Sequence, residues 1–164
     1  MKRIIASRLT DPIVDGYPDK CRIEDAENGM VLLLVERFRT NPNPYKYDSD
    51  TNIELPWQRC YAQITPMEYK WECAKTPKRG KCLVLNGGGM CVTTLPNYNP
   101  DTEFPGTKTA YSVEIHCGFN RTWPGSSACQ TVHPDDWSNF ISHFELGEQG
   151  VYVLNDERTI KVNK

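Results

Sequence analysis

The chain has no apolar run long enough to cross a bilayer, no Cys-x-x-Cys pair and no basic stripe. A spanning helix needs about 20 consecutive apolar residues, so no membrane insertion is expected. The cysteines at positions 21, 60, 73, 82, 91, 117 and 129 include none of the close pairs that zinc ribbons and fingers use. Acidic and basic residues are interspersed and sum to a formal charge of -2, giving neither a nucleic-acid footprint nor an acidic solvating tail. No secretory signal is expected either. Met1, Lys2 and Arg3 begin like one, but the apolar run stops after Ile4, Ile5 and Ala6. Synthesis in the cytoplasm without a signal peptide is therefore expected, with most cysteines reduced and buried.

What is present suffices for one domain. A chain of 164 residues buries roughly 70% of the surface its unfolded form exposes, and a single domain over 1–164 is expected. Seven cysteines is an odd number, so at least one thiol is free, metal-bound or paired outside the chain.

The periodicities read mostly as strands. Residues 30–38 ("MVLLLVERF") are β-branched and leucine-rich and follow the turn signal Asn28-Gly29. Further strands are expected over 3–9, 58–65, 81–86, 90–94 and 110–117. The "NGGG" at 86–89 supplies the positive-φ positions of a tight hairpin between two of them. Residues 151–162 are expected to form two short strands around Asn155-Asp156. Two long proline-bearing loops, 39–56 and 95–109, carry aromatic residues expected to pack over the sheet.

One helix is expected after His133. Pro134 suits an early helical position, and Asp135 and Asp136 face the positive end of the helix dipole. Trp137, Phe140, Ile141 and Phe144 recur at i, i+3, i+4 and i+7 as one apolar stripe, and Gly147 is a plausible stop. The expected fold class is mostly β, a β-rich α+β sandwich or barrel with one short amphipathic helix.

The chemistry concentrates in "VEIHCGFNRTWPGSSACQTVHPDDW", residues 113–137. His116 and Cys129 lie thirteen positions apart, at the end of one expected strand and the start of another. A cysteine nucleophile needs a base to ionise its thiol, backbone N–H groups for the oxyanion, and small neighbours that let substrate approach. Gly125, Ser126, Ser127 and Ala128 provide the small neighbours. The same residues also allow a buried structural pair. A zinc site from His116, Cys129, His133 and a further cysteine is a third reading of the residue types.

His-x-Gly-x-Asn followed by a loop, Ser-x-x-Cys-Gln-Thr and Pro-x-x-Trp resembles the L,D-transpeptidase catalytic-domain family, in particular its compact phage-encoded relatives. The matching residues are His116, Gly118, Asn120, Ser126, Cys129, Gln130, Thr131, Pro134 and Trp137. The resemblance implies an L,D-transpeptidase-like fold and a cysteine enzyme of the bacterial cell wall, needing no cofactor or metal. Cys129 would attack a peptidoglycan stem peptide to form a thioester, with His116 as base and then acid. Ser126 or Ser127 would steady the loop or the intermediate. Gly118, Asn120, Arg121 and Gln130 would bind substrate, with Gly118 keeping room beside the imidazole. Two positions depart from the family pattern: Ala128 stands where a glycine precedes the cysteine, and Thr131 where many members carry an arginine. Arg121 is the candidate carboxylate anchor in its place. The implied protein is a monomeric phage or prophage hydrolase that meets the wall only after release; the rival is a non-catalytic wall-binding or virion-associated module.

Overall fold

The computed structural model describes residues 1–10, 16–41, 63–94, 109–126 and 128–158. Strands β1 (Lys2–Arg8), β2 (Asp19–Asp25) and β3 (Val31–Arg39) form an antiparallel meander. After the short β4 (Gln63–Ile64), β5 (Glu68–Thr76) and β6 (Gly80–Leu85) make a hairpin. Then come β7 (Cys91–Thr94), β8 (Thr109–Ala110), β9 (Glu114–Cys117), β10 (Gln130–Val132), the helix α1 (Pro134–Ile141) and β11 (Gln149–Asp156). Eight strands close a barrel in the order β1-β11-β5-β6-β9-β10-β3-β2, and β4, β7 and β8 form a separate three-stranded sheet. The described residues are thus mostly β with one short α-helix, as the periodicities predict.

Period-two patterning builds the barrel. Tyr69, Trp71 and Cys73 of β5 are buried while Glu68, Lys70 and Lys75 face water. Gly150, Tyr152 and Leu154 of β11 alternate in the same way. Strands so patterned bury one face each, and closure leaves no open sheet edge in the barrel. The helix packs against β3, β9 and β10. His133 caps it, its Nδ1 accepting from the Asp135 N–H at 3.0 Å. Phe140 is fully buried, and Phe144, beyond the helix end at Ile141, meets Trp71 edge-on with ring centroids 4.9 Å apart. Trp137 is half-buried, stacked on Phe140.

Several expectations change. Residues 86–89 do hold positive φ at Asn86, Gly87 and Gly88, but as a 3-10 turn, and β6 and β7 do not pair with each other. β6 joins the barrel and β7 the small sheet. The strand expected over 110–117 breaks at Ser112, whose φ of 54° turns the chain between β8 and β9. β11 is one strand running through Asn155 and Asp156, and 159–162 lie outside the described residues. Most of the two long loops (42–56 and 95–108) and residues 58–62 also lie outside them.

One end of the barrel interior is polar. Arg8 of β1 is fully buried and donates to the Thr40 hydroxyl, the Thr40 carbonyl and the Ile64 carbonyl, each at 3.0 Å. Asp19 accepts from the backbone N–H groups of Leu9 (2.7 Å) and Thr40 (2.8 Å) and from the Thr40 hydroxyl (2.7 Å). The Thr40 carbonyl also accepts from Gln130, whose Oε1 accepts from the Tyr152 hydroxyl at 2.6 Å. Burial of such groups is tolerable because nearly every donor finds an acceptor. Burial also lowers the proton affinity of Arg8 and raises that of Asp19.

Candidate functional site

β9 and β10 run parallel and adjacent, with Gln130 beside Ile115, Thr131 beside His116 and Val132 beside Cys117. The loop between them therefore returns the chain to the start of the neighbouring strand. Alternation puts Ile115 into the barrel core and Glu114 and His116 on its outer face. Cys129, just before β10, lies next to Glu114: the Glu114 N–H donates to Cys129 Sγ at 3.3 Å. The thiol in turn faces the Ser112 carbonyl at 3.9 Å. Ser126 donates to the Cys129 carbonyl at 2.6 Å and fixes the backbone that carries the thiol. Ser127 lies outside the described residues.

His116 is 1% exposed, although its strand position is on the polar face. Its Nδ1 lies 2.7 Å from the Cys117 carbonyl. A carbonyl only accepts, so Nδ1 carries the proton, and the neutral ring presents a bare lone pair at Nε2. That Nε2 is buried and has no hydrogen-bond partner among the described residues. Burial holds the imidazole pKa down to about 4, and the nearby charges of Arg79 and Lys78 push the same way. Burial likewise pushes the Cys129 thiol up to about 11, partly offset by the Glu114 N–H and reinforced by the Glu114 charge. The resting pair is a neutral thiol and a neutral imidazole, with no hydrogen bond between them. A preformed thiolate–imidazolium pair is not the resting state.

The remaining sequence candidates have structural partners. Gly118 makes room for Tyr17, whose ring and hydroxyl occupy the space a β-carbon would need. Asn120 Oδ1 accepts from the N–H groups of Thr122 (2.9 Å) and Trp123 (2.7 Å), which shapes the loop. Arg121 donates to Asp135 at 3.0 Å across the helix start and stays largely exposed. Gln130 is buried in the polar interior, bonded to Thr40 and Tyr152 on the side of β10 away from Cys129. Cys117 is half-buried and faces the Gly118 carbonyl at 3.4 Å.

Two neighbours of the thiol escaped sequence reasoning. Glu114 sits two residues before His116 on the same strand face, a signal the alternation carried. Cys82 lies on β6, the strand paired with β9, and its thiol meets the Thr76 hydroxyl at 3.8 Å. The six described cysteines are all free. Among the described residues, no group of three or more His, Cys, Asp or Glu side chains is placed to hold a metal ion. Nor is any described helix long and apolar enough to cross a membrane. No protein-family model, curated protein or solved structure matches the chain.

Proposed function

We propose that the chain is a cysteine hydrolase of the peptidoglycan stem peptide, acting through a Cys129 thioester. It would serve phage or prophage lysis, or act as a delivered effector, reaching the wall after release from the cytoplasm. The observation that carries this reading is the buried, unpartnered Nε2 lone pair of His116 on the strand adjacent to Cys129. A buried base without a partner costs folding free energy, and chemistry is one reason to keep it. With Nδ1–H held on the Cys117 carbonyl, Nε2 takes the thiol proton as sulfur attacks the scissile carbonyl. The imidazolium returns that proton to the leaving amine, and the thioester remains. A water then loses a proton to Nε2 and attacks the thioester, releasing the acid and the thiol. An amine in place of water would give transpeptidation. Ser126 keeps the Cys129 backbone in place during both steps.

A second reading has its own observation. Cys129 and His116 share no hydrogen bond at rest, and burial keeps both uncharged at neutral pH. Ala128 occupies the position where the resembled family has glycine. These features favour a wall-binding or virion-associated module that does no chemistry.

A digest separates the two. The protein and its Cys129→Ala variant are incubated with intact peptidoglycan and with tetrapeptide muropeptides, and the products are read by mass spectrometry. Loss of terminal D-alanine or of cross-links with the wild type alone supports the hydrolase. Identical spectra from both proteins, with the insoluble wall retaining each of them, would leave the binding module.

A further inference from the structure

The chemistry proposed above leaves the hydrolytic water unplaced and makes no use of Thr131. Thr131 and His116 are in-register partners on the parallel strands β10 and β9. The pair before them, Gln130 and Ile115, points into the barrel, so Thr131 and His116 share its outer face. Cys129 lies two residues before Thr131 and falls on that face as well. Thr131 is fully buried, as His116 nearly is. The Thr131 hydroxyl and His116 Nε2 both lack a hydrogen-bond partner among the described residues. Neighbouring strands lie about 4.8 Å apart, yet these two side chains do not bond each other. The thiol does not serve either of them, since Cys129 Sγ meets the Glu114 N–H and the Ser112 carbonyl. A buried hydroxyl with its bond unmade is costly, and valine would fill the same space on a strand without that cost. Two buried polar atoms on adjacent side chains that do not bond directly are what one bridging water satisfies.

We propose that Thr131 and His116 together bind one water beside Cys129, and that this water hydrolyses the thioester. The inference rests on the reading of Cys129 as the nucleophile of the first step. With the ring proton held at Nδ1 by the Cys117 carbonyl, Nε2 can only accept. The water donates one hydrogen to Nε2 and accepts one from the Thr131 hydroxyl, which leaves it a free lone pair. In the first step that lone pair takes the thiol proton while the water passes one of its own to Nε2, so no direct bond between Cys129 and His116 is required. The imidazolium returns the proton by the same route to the departing amine. In the second step the lone pair forms a C–O bond to the thioester carbonyl carbon, and a water proton moves to Nε2. The C–S bond then breaks and the imidazolium proton goes to the departing sulfur. The products are the carboxylic acid, a neutral Cys129 thiol and a neutral His116. Thr131 exchanges no proton; it is a positioning residue that fixes the water oxygen. A water already held in place reacts ahead of an amine that must diffuse in, so the arrangement favours hydrolysis over cross-linking.

Two measurements on the full-length chain test this, using Thr131→Val, which keeps the side-chain shape, and Thr131→Ser, which keeps the hydroxyl. Long-range proton–nitrogen NMR at neutral pH reports whether His116 Nε2 accepts a hydrogen bond. Its resonance should lie upfield of an unbonded imine nitrogen in the wild type, move downfield in Thr131→Val, and return in Thr131→Ser. A wild-type resonance at the unbonded position, or one that Thr131→Val leaves in place, would overturn the water site. The second measurement gives the enzyme tetrapeptide muropeptides with a fixed concentration of glycinamide and reads the ratio of acid to amide product. Both products arise from one thioester, so the ratio is blind to how fast that thioester forms. Thr131→Val should lower it about tenfold, the effect of one lost hydrogen bond, and Thr131→Ser should restore it. An unchanged ratio would overturn the assignment of this water as the nucleophile. Neither product from the wild type would remove the hydrolase and the water's reaction with it, while the Nε2 resonance decides the water site on its own.

Discussion

The Tyr17 hydroxyl donates to the Asn120 carbonyl at 2.6 Å, and its ring lies where a β-carbon on Gly118 would have to go. A tyrosine ahead of β2 thereby pins the loop that follows β9. Gly118→Ala should displace Tyr17 and cost about 1–3 kcal/mol, the usual range for overpacking. Urea denaturation of a double-mutant cycle checks it: in a Tyr17→Ala background the same substitution should cost well under half as much. Additive costs would mean that Gly118 matters for another reason.

The polar interior gives a second expectation. Tyr152→Phe leaves Gln130 Oε1 buried without its 2.6 Å donor, which costs about 1–3 kcal/mol. Replacing both partners by apolar residues should recover part of that loss. Equilibrium denaturation of the single and double variants measures the difference, and a neutral Tyr152→Phe would show that water reaches Gln130.

His116 ties stability to pH. Its pKa is about 4 in the folded chain and about 6.5 when unfolded. Between those values the unfolded chain binds more protons, so stability rises with pH. The contribution is complete above about 6.5 and drains away toward about 4, with about 2 kcal/mol gone by pH 5. His116→Gln should therefore flatten the change in urea midpoint between about pH 7 and pH 5. A variant with the wild-type slope would place the imidazole in water.

Cys129 should be slow toward alkylating agents in the absence of substrate. With its pKa pushed up to about 11, the thiolate at about pH 8 is roughly two hundredfold scarcer than for an exposed cysteine near 8.5. Its alkylation rate, followed by peptide mapping against Cys129→Ser, should keep climbing past about pH 10. A plateau near neutrality would instead reveal a resting ion pair with His116.

Local pattern made much of this fold readable. The helix announced itself through Pro134, two first-turn acids and a 3.6-residue stripe, and β1, β3, β6 and β7 fall within a residue or two of their expected bounds. β2 hid because five of the seven residues in "DKCRIED" are charged, leaving only Cys21 and Ile23 apolar, and a charged strand looks like a loop. β5 was legible from the alternation of Tyr69, Trp71 and Cys73 and went unread. Pairing was harder. "NGGG" has the backbone freedom of a hairpin, yet which strands meet is decided by distant partners, and those separated β6 from β7. For the same reason His116 and Cys129 could be placed on neighbouring strand ends, but the burial that neutralises both could not. That burial comes from the assembled barrel wall. Nothing in the order of residues marks Arg8, Asp19 or Gln130 as interior, because their partner Thr40 is remote from each in the chain.

The placement of β11 has a consequence for how the protein is made. It is the last strand of the barrel to be synthesised, yet it sits between β1, the first, and β5. Until Gln149–Asp156 leaves the ribosome, everything upstream is an open sheet with two bare margins. Unsatisfied margins recruit other chains, and contacts this distant in sequence form slowly. A ribosome-held chain ending before residue 149 should therefore cling to chaperones and resist release in soluble form, whereas one extended past 156 should snap shut.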